Sequence, residues 1–163
     1  MDSIVYRPIG VIRSPHVDGA ATPIQPVFAV GIPGRVELEA DYAEGLRDLD
    51  GFSHLFLIYH FHRAAPARLL ARPFLDDQER GVFATRAPAR PNPIGISLVR
   101  LQRIEGRVLH VEDIDVLDGT PLLDIKPYAP RFDDRRGACS GWLERIDEAT
   151  AQRQGRREGR QDS

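Results

Sequence analysis

The sequence predicts an all-β fold, a single small barrel with short helices confined to its connections. Three observations point there. Thirteen prolines and fourteen glycines are spread through 163 residues and cut the chain into short pieces, which leaves little room for long helices. Several pieces alternate apolar and polar residues with a period of two, the pattern of a strand with one wet face. About eight such pieces follow one another with almost no amphipathic helix between them, as in barrels and sandwiches.

In chain order, Ile4 to Ser14 reads as a first strand broken near Pro8. Ser14 to Pro33 reads as a long loop carrying Pro15, Pro23, Pro26 and Pro33, and loops of that length are often functional or covered by a partner. Gly34 to Ala40 sets Val36 and Leu38 against Arg35, Glu37 and Glu39, a half-buried strand. Asp41 to Leu49 suits one short helix with Asp41 as its N-cap. His54 to His62 is apolar enough to be a central strand buried on both faces. Arg63 to Arg80 is an irregular connection with a turn of helix near Ala67 to Leu70, and Gly81 to Thr85 is a short strand. Ile94 to Ile104 is a longer one, with Val99 and Leu101 alternating with Arg100 and Gln102. Glu105-Gly106 signals a two-residue hairpin into the Leu109 and Val111 strand. Asp118-Gly119-Thr120-Pro121 is a turn feeding Leu122 to Lys126, which Pro127 stops. Residues 1–148 are expected to form the barrel domain, and 149–163 a polar, Arg-rich disordered tail, helical at most at its start.

A chain of 163 residues and 18.3 kDa is long enough for one domain with a full core and short for two. The longest apolar stretch, Leu55 to Tyr59, falls far below the ~20 residues a spanning helix needs. Asp2, Arg7 and Pro8 stand where a secretory leader would carry an apolar run. The single Cys139 can form no internal disulfide, and a reducing cytoplasm is the expected compartment. Net charge is -2, which by itself argues against nucleic acid, but the average hides a pattern. Glu37 to Asp50 holds six acids and one arginine, whereas Arg63 to Arg107 holds nine arginines and four acids. Lys126 is the one lysine, so a basic face here favours bidentate carboxylate and phosphate contacts; a solvated barrel exterior accounts for the same charges.

Three segments can carry chemistry. In Arg86-Ala87-Pro88-Ala89-Arg90-Pro91-Asn92-Pro93, three prolines stiffen a loop that presents two arginines able to clamp a carboxylate or phosphate. Asn92 can read an amide or hydroxyl there, and Gly95 admits a ligand close to the backbone; a plain polar turn is the competing reading. In Asp124-Ile125-Lys126-Pro127-Tyr128, Asp124 and Lys126 share a strand face, where they can pair with each other or meet a polar ligand. His60 and His62 share a face as well, but no third and fourth ligand stand at a usable spacing, so no metal is expected. No nucleophile elbow, phosphate-binding loop or dinucleotide fingerprint is present.

Taken in order, these segments resemble the TsaA-like family, also called the YaeB or TrmO family, of S-adenosylmethionine-dependent tRNA methyltransferases. The resemblance rests on Ile9-Gly10-Val11-Ile12-Arg13-Ser14-Pro15, Gly51-Phe52-Ser53-His54-Leu55, Phe61-His62 and Gly81-Val82-Phe83-Ala84-Thr85-Arg86. It continues through Arg90-Pro91-Asn92-Pro93-Ile94-Gly95, Asp118-Gly119-Thr120-Pro121 and Asp124-Ile125-Lys126-Pro127-Tyr128. It implies a β-barrel that binds S-adenosylmethionine near a homodimer interface and methylates N6 of N6-threonylcarbamoyladenosine at position 37, in the anticodon loop of tRNA. It also implies a cofactor site drawn from Phe61, His62, Arg63, Phe83, Arg86, Arg90, Pro91, Asn92, Ile94 and Gly95, completed by Leu117, Asp118, Gly119 and Thr120. The catalytic candidates are Asp118 and Asp124 as acids, neither singled out as the base, with Lys126 and Tyr128 to steady developing negative charge. Relatives commonly carry a further C-terminal domain, so the chain reads as a short form. A barrel that binds the cofactor without catalysis, or a methyltransferase with another acceptor, stays open as an alternative.

Overall fold

The computed structural model describes residues 3–156. Among them, eight strands form in the order β1 (Gly10–Arg13), β2 (Pro33–Leu38), β3 (His54–His60), β4 (Leu70–Ala71), β5 (Arg80–Gly81), β6 (Ile94–Glu105), β7 (Val108–Glu112) and β8 (Thr120–Pro127). Six of them close into a barrel in the order β1-β2-β7-β6-β3-β8, every neighbouring pair antiparallel, while β4 and β5 pair as a separate ribbon. Closure leaves the barrel sheet without a free edge. Its interior is filled by the alternate residues of each strand: Ile12, Val36, Leu57, Val99, Leu109 and Leu122 are fully buried. Each such side chain contributes ~1.5–3 kcal/mol by leaving water.

The antiparallel order divides the molecule into two ends. The upper end gathers the C-terminal ends of β1, β3 and β7 with the starts of β2, β6 and β8; the lower end gathers the reverse. Connections at the lower end include the tight β6–β7 turn, whereas the loops 14–32 and 61–93 both leave from the upper end.

Several local expectations need correction. The first strand is four residues long: Ile9 still bonds both neighbours, its N–H donating to the Leu122 carbonyl at 2.8 Å and its carbonyl accepting from the Glu39 N–H at 2.9 Å, but strand pairing begins at Gly10. Asp41 is not an N-cap: a 3-10 helix spans Ala40–Leu46, with Glu39 in the cap position and no side-chain cap bond. β3 stops at His60 and is not buried on both faces, since Leu55, Leu57 and Tyr59 point inward while Phe56 and Ile58 are half-buried outside. Helix is replaced by strand at Leu70, which pairs with Gly81, and strand by a 3-10 turn at Val82–Ala84. The hairpin turn lies one residue later, at Gly106-Arg107, with Glu105 opposite Val108, because Gly106 supplies the left-handed φ of 60°. β8 starts earlier, at Thr120, and ends on Pro127 rather than before it.

The polar segment from residue 149 opens inside α2 (Glu148–Gly155), which follows α1 (Pro130–Asp133). Asp147 caps α2, accepting from the Thr150 N–H at 2.9 Å. Its last residue is buried, with the Gly155 carbonyl accepting from the Ile24 N–H at 3.0 Å. The remainder of the expected tail, 157–163, lies outside the described residues.

Candidate functional site

Three prolines restrict the loop before β6, and backbone bonds fix what they leave free. Arg90 N–H donates to the Pro88 carbonyl (2.8 Å) and Ile94 N–H to the Asn92 carbonyl (2.7 Å). The Arg90 guanidinium turns back on its own loop, donating to the Thr85 carbonyl at 3.2 Å. Two neighbours hold the loop from outside: Phe61 N–H donates to the Pro93 carbonyl (2.8 Å) and Arg68 N–H to the Ala89 carbonyl (3.1 Å). Arg86 reaches across to Gln25 Oε1 at 2.5 Å. Gly95 must lack a side chain, because a Cβ would overlap the Tyr59 ring and lie 2.9 Å from Phe61 Cζ. Close approach, not backbone strain, is what the glycine provides.

The facing wall is the turn before β8. Asp118 N–H donates to the His16 carbonyl (2.7 Å) and Gly119 N–H to the Ile12 carbonyl (2.9 Å). The Asp118 carboxylate accepts from Ser14 N–H at 3.1 Å and lies 3.7 Å from Arg13. Thr120 Oγ1 donates to the Leu117 carbonyl (2.8 Å) and lies 3.3 Å from His62 Nδ1. Partial burial, then the nearby Arg63 charge and the neighbouring His60, holds the His62 imidazole below its usual pKa, which favours its neutral form. Arg63 is exposed and reaches the Val17 carbonyl at 3.4 Å, while Phe83 is 77% exposed.

The upper end thus brings together Phe61, His62, Arg63, the 86–95 loop and Leu117 to Thr120. The four catalytic candidates are not brought together in one protomer. Asp118 belongs to the upper end; Asp124 and Lys126 pair at 2.9 Å on the barrel exterior, opposite Ile58 and Phe56. That bond to Asp124 raises the Lys126 pKa. Tyr128 lies at the lower end, its N–H donating to the His54 carbonyl (3.0 Å) and its hydroxyl to Asp134 (2.5 Å), which raises its pKa. Eight residues of strand separate Thr120 from Tyr128, about 26 Å at ~3.3 Å per residue.

Sequence reasoning missed a buried polar chain beneath the upper end. Asp115, 9% exposed, accepts from Ser97 Oγ at 2.5 Å, and Ser97 Oγ lies 3.0 Å from the Tyr59 hydroxyl. Burial pushes the Asp115 carboxyl up to about 7, with Ser97 and the Arg86 charge acting against that rise. Burial likewise raises Tyr59. The available signal was an acid between apolar neighbours, Ile114-Asp115-Val116, matched by Ser97 between Ile96 and Leu98.

Chemically the upper end offers flat apolar surface at Phe61, Phe83 and Ile94, cations at Arg86 and Arg90, and amide and carboxylate groups at Asn92 and Asp118. Such a set fits a ligand with an aromatic base, hydroxyls and an amino-acid end, as S-adenosylmethionine has. Among the described residues no group of three or more His, Cys, Asp or Glu gathers as a metal site requires, and no helix is long and apolar enough to cross a membrane.

Residues 11–134 match the family model described as the tRNA-methyltransferase O N-terminal domain. A Pyrococcus abyssi protein named "Probable S-adenosyl-L-methionine-binding protein" is 56% identical over 142 residues, 87% of this chain and 77% of that one. The tRNA (adenine(37)-N6)-methyltransferase of Escherichia coli is 41% identical over 140 residues, 80% of this chain and 60% of the enzyme. The crystal structure of TrmO from Pseudomonas aeruginosa superposes with a TM-score of 0.73 at 40% identity, covering 86% of this chain and 63% of that one. The chain therefore spans less than two thirds of the latter two proteins.

Proposed function

The chain belongs to the tRNA-methyltransferase O N-terminal domain family, and on that premise we propose that it is an S-adenosylmethionine-dependent methyltransferase acting on N6 of N6-threonylcarbamoyladenosine at tRNA position 37. The observation that carries this reading is the upper end itself. Its proline-stiffened Arg86–Gly95 loop and its Leu117–Thr120 turn are each tied down by backbone bonds before any ligand arrives, so little ordering remains to be paid on binding. Relatives named for S-adenosylmethionine binding and for tRNA adenine methylation support it. Arg86, Arg90, Asn92, Phe61 and Phe83 are the residues we assign to the cofactor.

The cofactor supplies a methyl group on a positively charged sulfur. The rest falls to the chain: hold donor and acceptor in line, and accept the N6 proton. An N6 that carries a carbamoyl group is a weak nucleophile until that proton leaves, so a base beside it lowers the barrier. Bound in line with N6 by these residues, the cofactor would balance the new C–N bond by keeping the C–S electron pair on sulfur, which would lose its charge. Asp118 and Asp124 are the carboxylates available as base, with Lys126 and Tyr128 to steady charge on the carbamoyl oxygen.

The distance between these residues calls for a second copy. The outer face of β6, β3 and β8 carries Ile94 and Ile96, 40% and 43% exposed, beside half-buried Phe56 and Ile58, with Lys126 at its lower part. Two such faces packed about a two-fold axis across the strands set the lower end of one protomer beside the upper end of the other. Pro127 to Arg136 is the segment we assign to that crossing. We place the reaction in the cytoplasm, the compartment of the tRNA.

Labelled S-adenosylmethionine and total tRNA, from cells with and without the threonylcarbamoyl modification, provide the test. Label is expected only in tRNA bearing that modification. Transfer to unmodified tRNA points to another acceptor; cofactor binding without transfer points to a non-catalytic binding barrel.

A further inference from the structure

Among the described residues Asp115 is the one buried acid, at the functional end of the barrel, and the chemistry proposed above makes no use of it. It sits on the segment between β7 and the Leu117–Thr120 turn, flanked by Ile114 (0% exposed) and Val116 (3%). Facing it are Ser97 from β6, Tyr59 from β3 through Ser97, and the Arg86 charge from the proline loop. Ser14 and His16, from the loop after β1, bind the flanking carbonyls: Ser14 Oγ that of Val116 (2.5 Å) and His16 Nε2 that of Ile114 (2.9 Å). Asp113 and Asp118 are the other acids of its own segment, and Arg100 and Arg13 respectively lie within 3.7 Å of them.

Through Ser97, the carboxyl is connected to the aromatic wall of the site. The Tyr59 ring meets Phe61 edge-on, centroids 5.3 Å apart, and both rings press on Gly95. A carboxyl in this position holds a ring wall in place in either protonation state, but only its anion attracts a cation.

We propose that Asp115 is a positioning residue of the cofactor site that exchanges its proton for the positive charge of the methyl donor. Resting on the cofactor reading above, this has a definite balance. In the free protein the carboxyl is partly protonated near neutral pH; when a sulfonium cation enters the upper end, the proton passes to solvent and the carboxylate remains. Methyl transfer leaves a neutral thioether, the attraction ends, and the carboxyl takes a proton back. The site thereby favours donor over spent product. Burial places the free carboxyl where it can respond, since it titrates near neutrality instead of being fully ionised at pH 7. A charge brought near a group in a protein interior shifts its pKa by about one unit or more, a roughly tenfold effect on affinity.

The sign follows directly. A cation lowers the Asp115 pKa, so donor affinity rises with pH between the lowered value and about 7, then levels off. Calorimetric titration of the whole chain with S-adenosylmethionine and with S-adenosylhomocysteine, from pH 5.5 to 8 in buffers of different ionisation enthalpy, measures this. The donor is expected to gain about tenfold in affinity up to pH 7 and to release a fraction of a proton at pH 6.5; the product is expected to show neither. Asp115→Asn, which keeps the hydrogen bond from Ser97, should flatten the donor's response. The ligand's own amino group titrates against both proteins and cancels in that difference. Equal proton release with donor and product in the unaltered protein overturns the proposal, and that result stands even where the variant does not fold. Binding of neither ligand at any pH overturns the cofactor reading itself, and this inference with it.

Discussion

The two ends of β8 show how differently one strand can be furnished. At its start, Asp118 and Thr120 are held by partners from far along the chain: Ser14, 104 residues away, and His62, 58 residues away. At its end, Asp124 is paired with Lys126 two residues on, and Tyr128 with Asp134 six residues on. Long-range bonds exist only once the barrel closes, so the upper end is a site built by the fold. Local side-chain pairs on an exposed strand contribute little, roughly 0–1 kcal/mol; what the lower end takes from far along the chain is the Tyr128 N–H bond to the His54 carbonyl and the packing of its ring on His54 and Phe56. Under the function proposed above, the difference separates a ligand wall that one protomer provides alone from groups that need a second surface.

Changes that attack the built end should cost most. Asp115→Asn separates burial from charge. The folded pKa of Asp115, about 7, is above the ordinary 3.8, so its favourable contribution is complete below the ordinary value and is lost as pH rises toward 7. Relative to Asp115→Asn, the unaltered protein should therefore lose stability from pH 4 to 7, by at most about 4 kcal/mol. Urea unfolding of both proteins across that range measures the gap; a constant gap would remove the buried carboxyl from the account. Gly95→Ala forces a methyl into the Tyr59 ring, with about 1–3 kcal/mol of overpacking, read as a lower urea midpoint and weaker cofactor binding.

Arg90→Ala or Asn92→Ala should weaken S-adenosylmethionine binding roughly ten- to hundredfold, the effect of losing a charge-assisted or buried contact. Lys126→Ala, at the other end, should leave affinity near normal and lower single-turnover methylation instead. Equal loss of affinity from Arg90→Ala and Lys126→Ala would erase the distinction between the ends. The smallest effect expected is on the stability of Lys126→Ala itself, below about 1 kcal/mol for an exposed pair.

What was legible in the sequence follows the same division. Strand alternation such as Val36 and Leu38 against Glu37, or Leu109 and Val111 against His110, depends on local period and was read correctly. The restrained backbone of the 86–93 loop is legible in the same way, because three prolines stiffen a chain wherever they fall. Expectations failed where the barrel chose the local form. Asp41 has the composition of a helix cap, yet the link from β2 to β3 folds as two 3-10 helices, Ala40–Leu46 and Leu49–Gly51, neither with a side-chain cap bond. Gly81 to Thr85 has strand composition, yet only Arg80–Gly81 finds a partner. Asp115 and Ser97 were invisible as a pair because 18 residues and the β6–β7 hairpin separate them; only closure brings them together.

The central claim, that one protomer's upper end works with its partner's lower end, is most directly tested by subunit complementation. Arg90→Ala and Lys126→Ala chains, each defective alone in methylating threonylcarbamoylated tRNA, are co-expressed so that mixed dimers form. A mixed two-fold dimer then holds one site with both residues intact and one with neither. With random pairing, about a quarter of all sites are whole, and activity should recover to roughly a quarter of the unaltered protein's. A mixture no more active than the two variants apart would contradict the claim and return both functions to a single protomer.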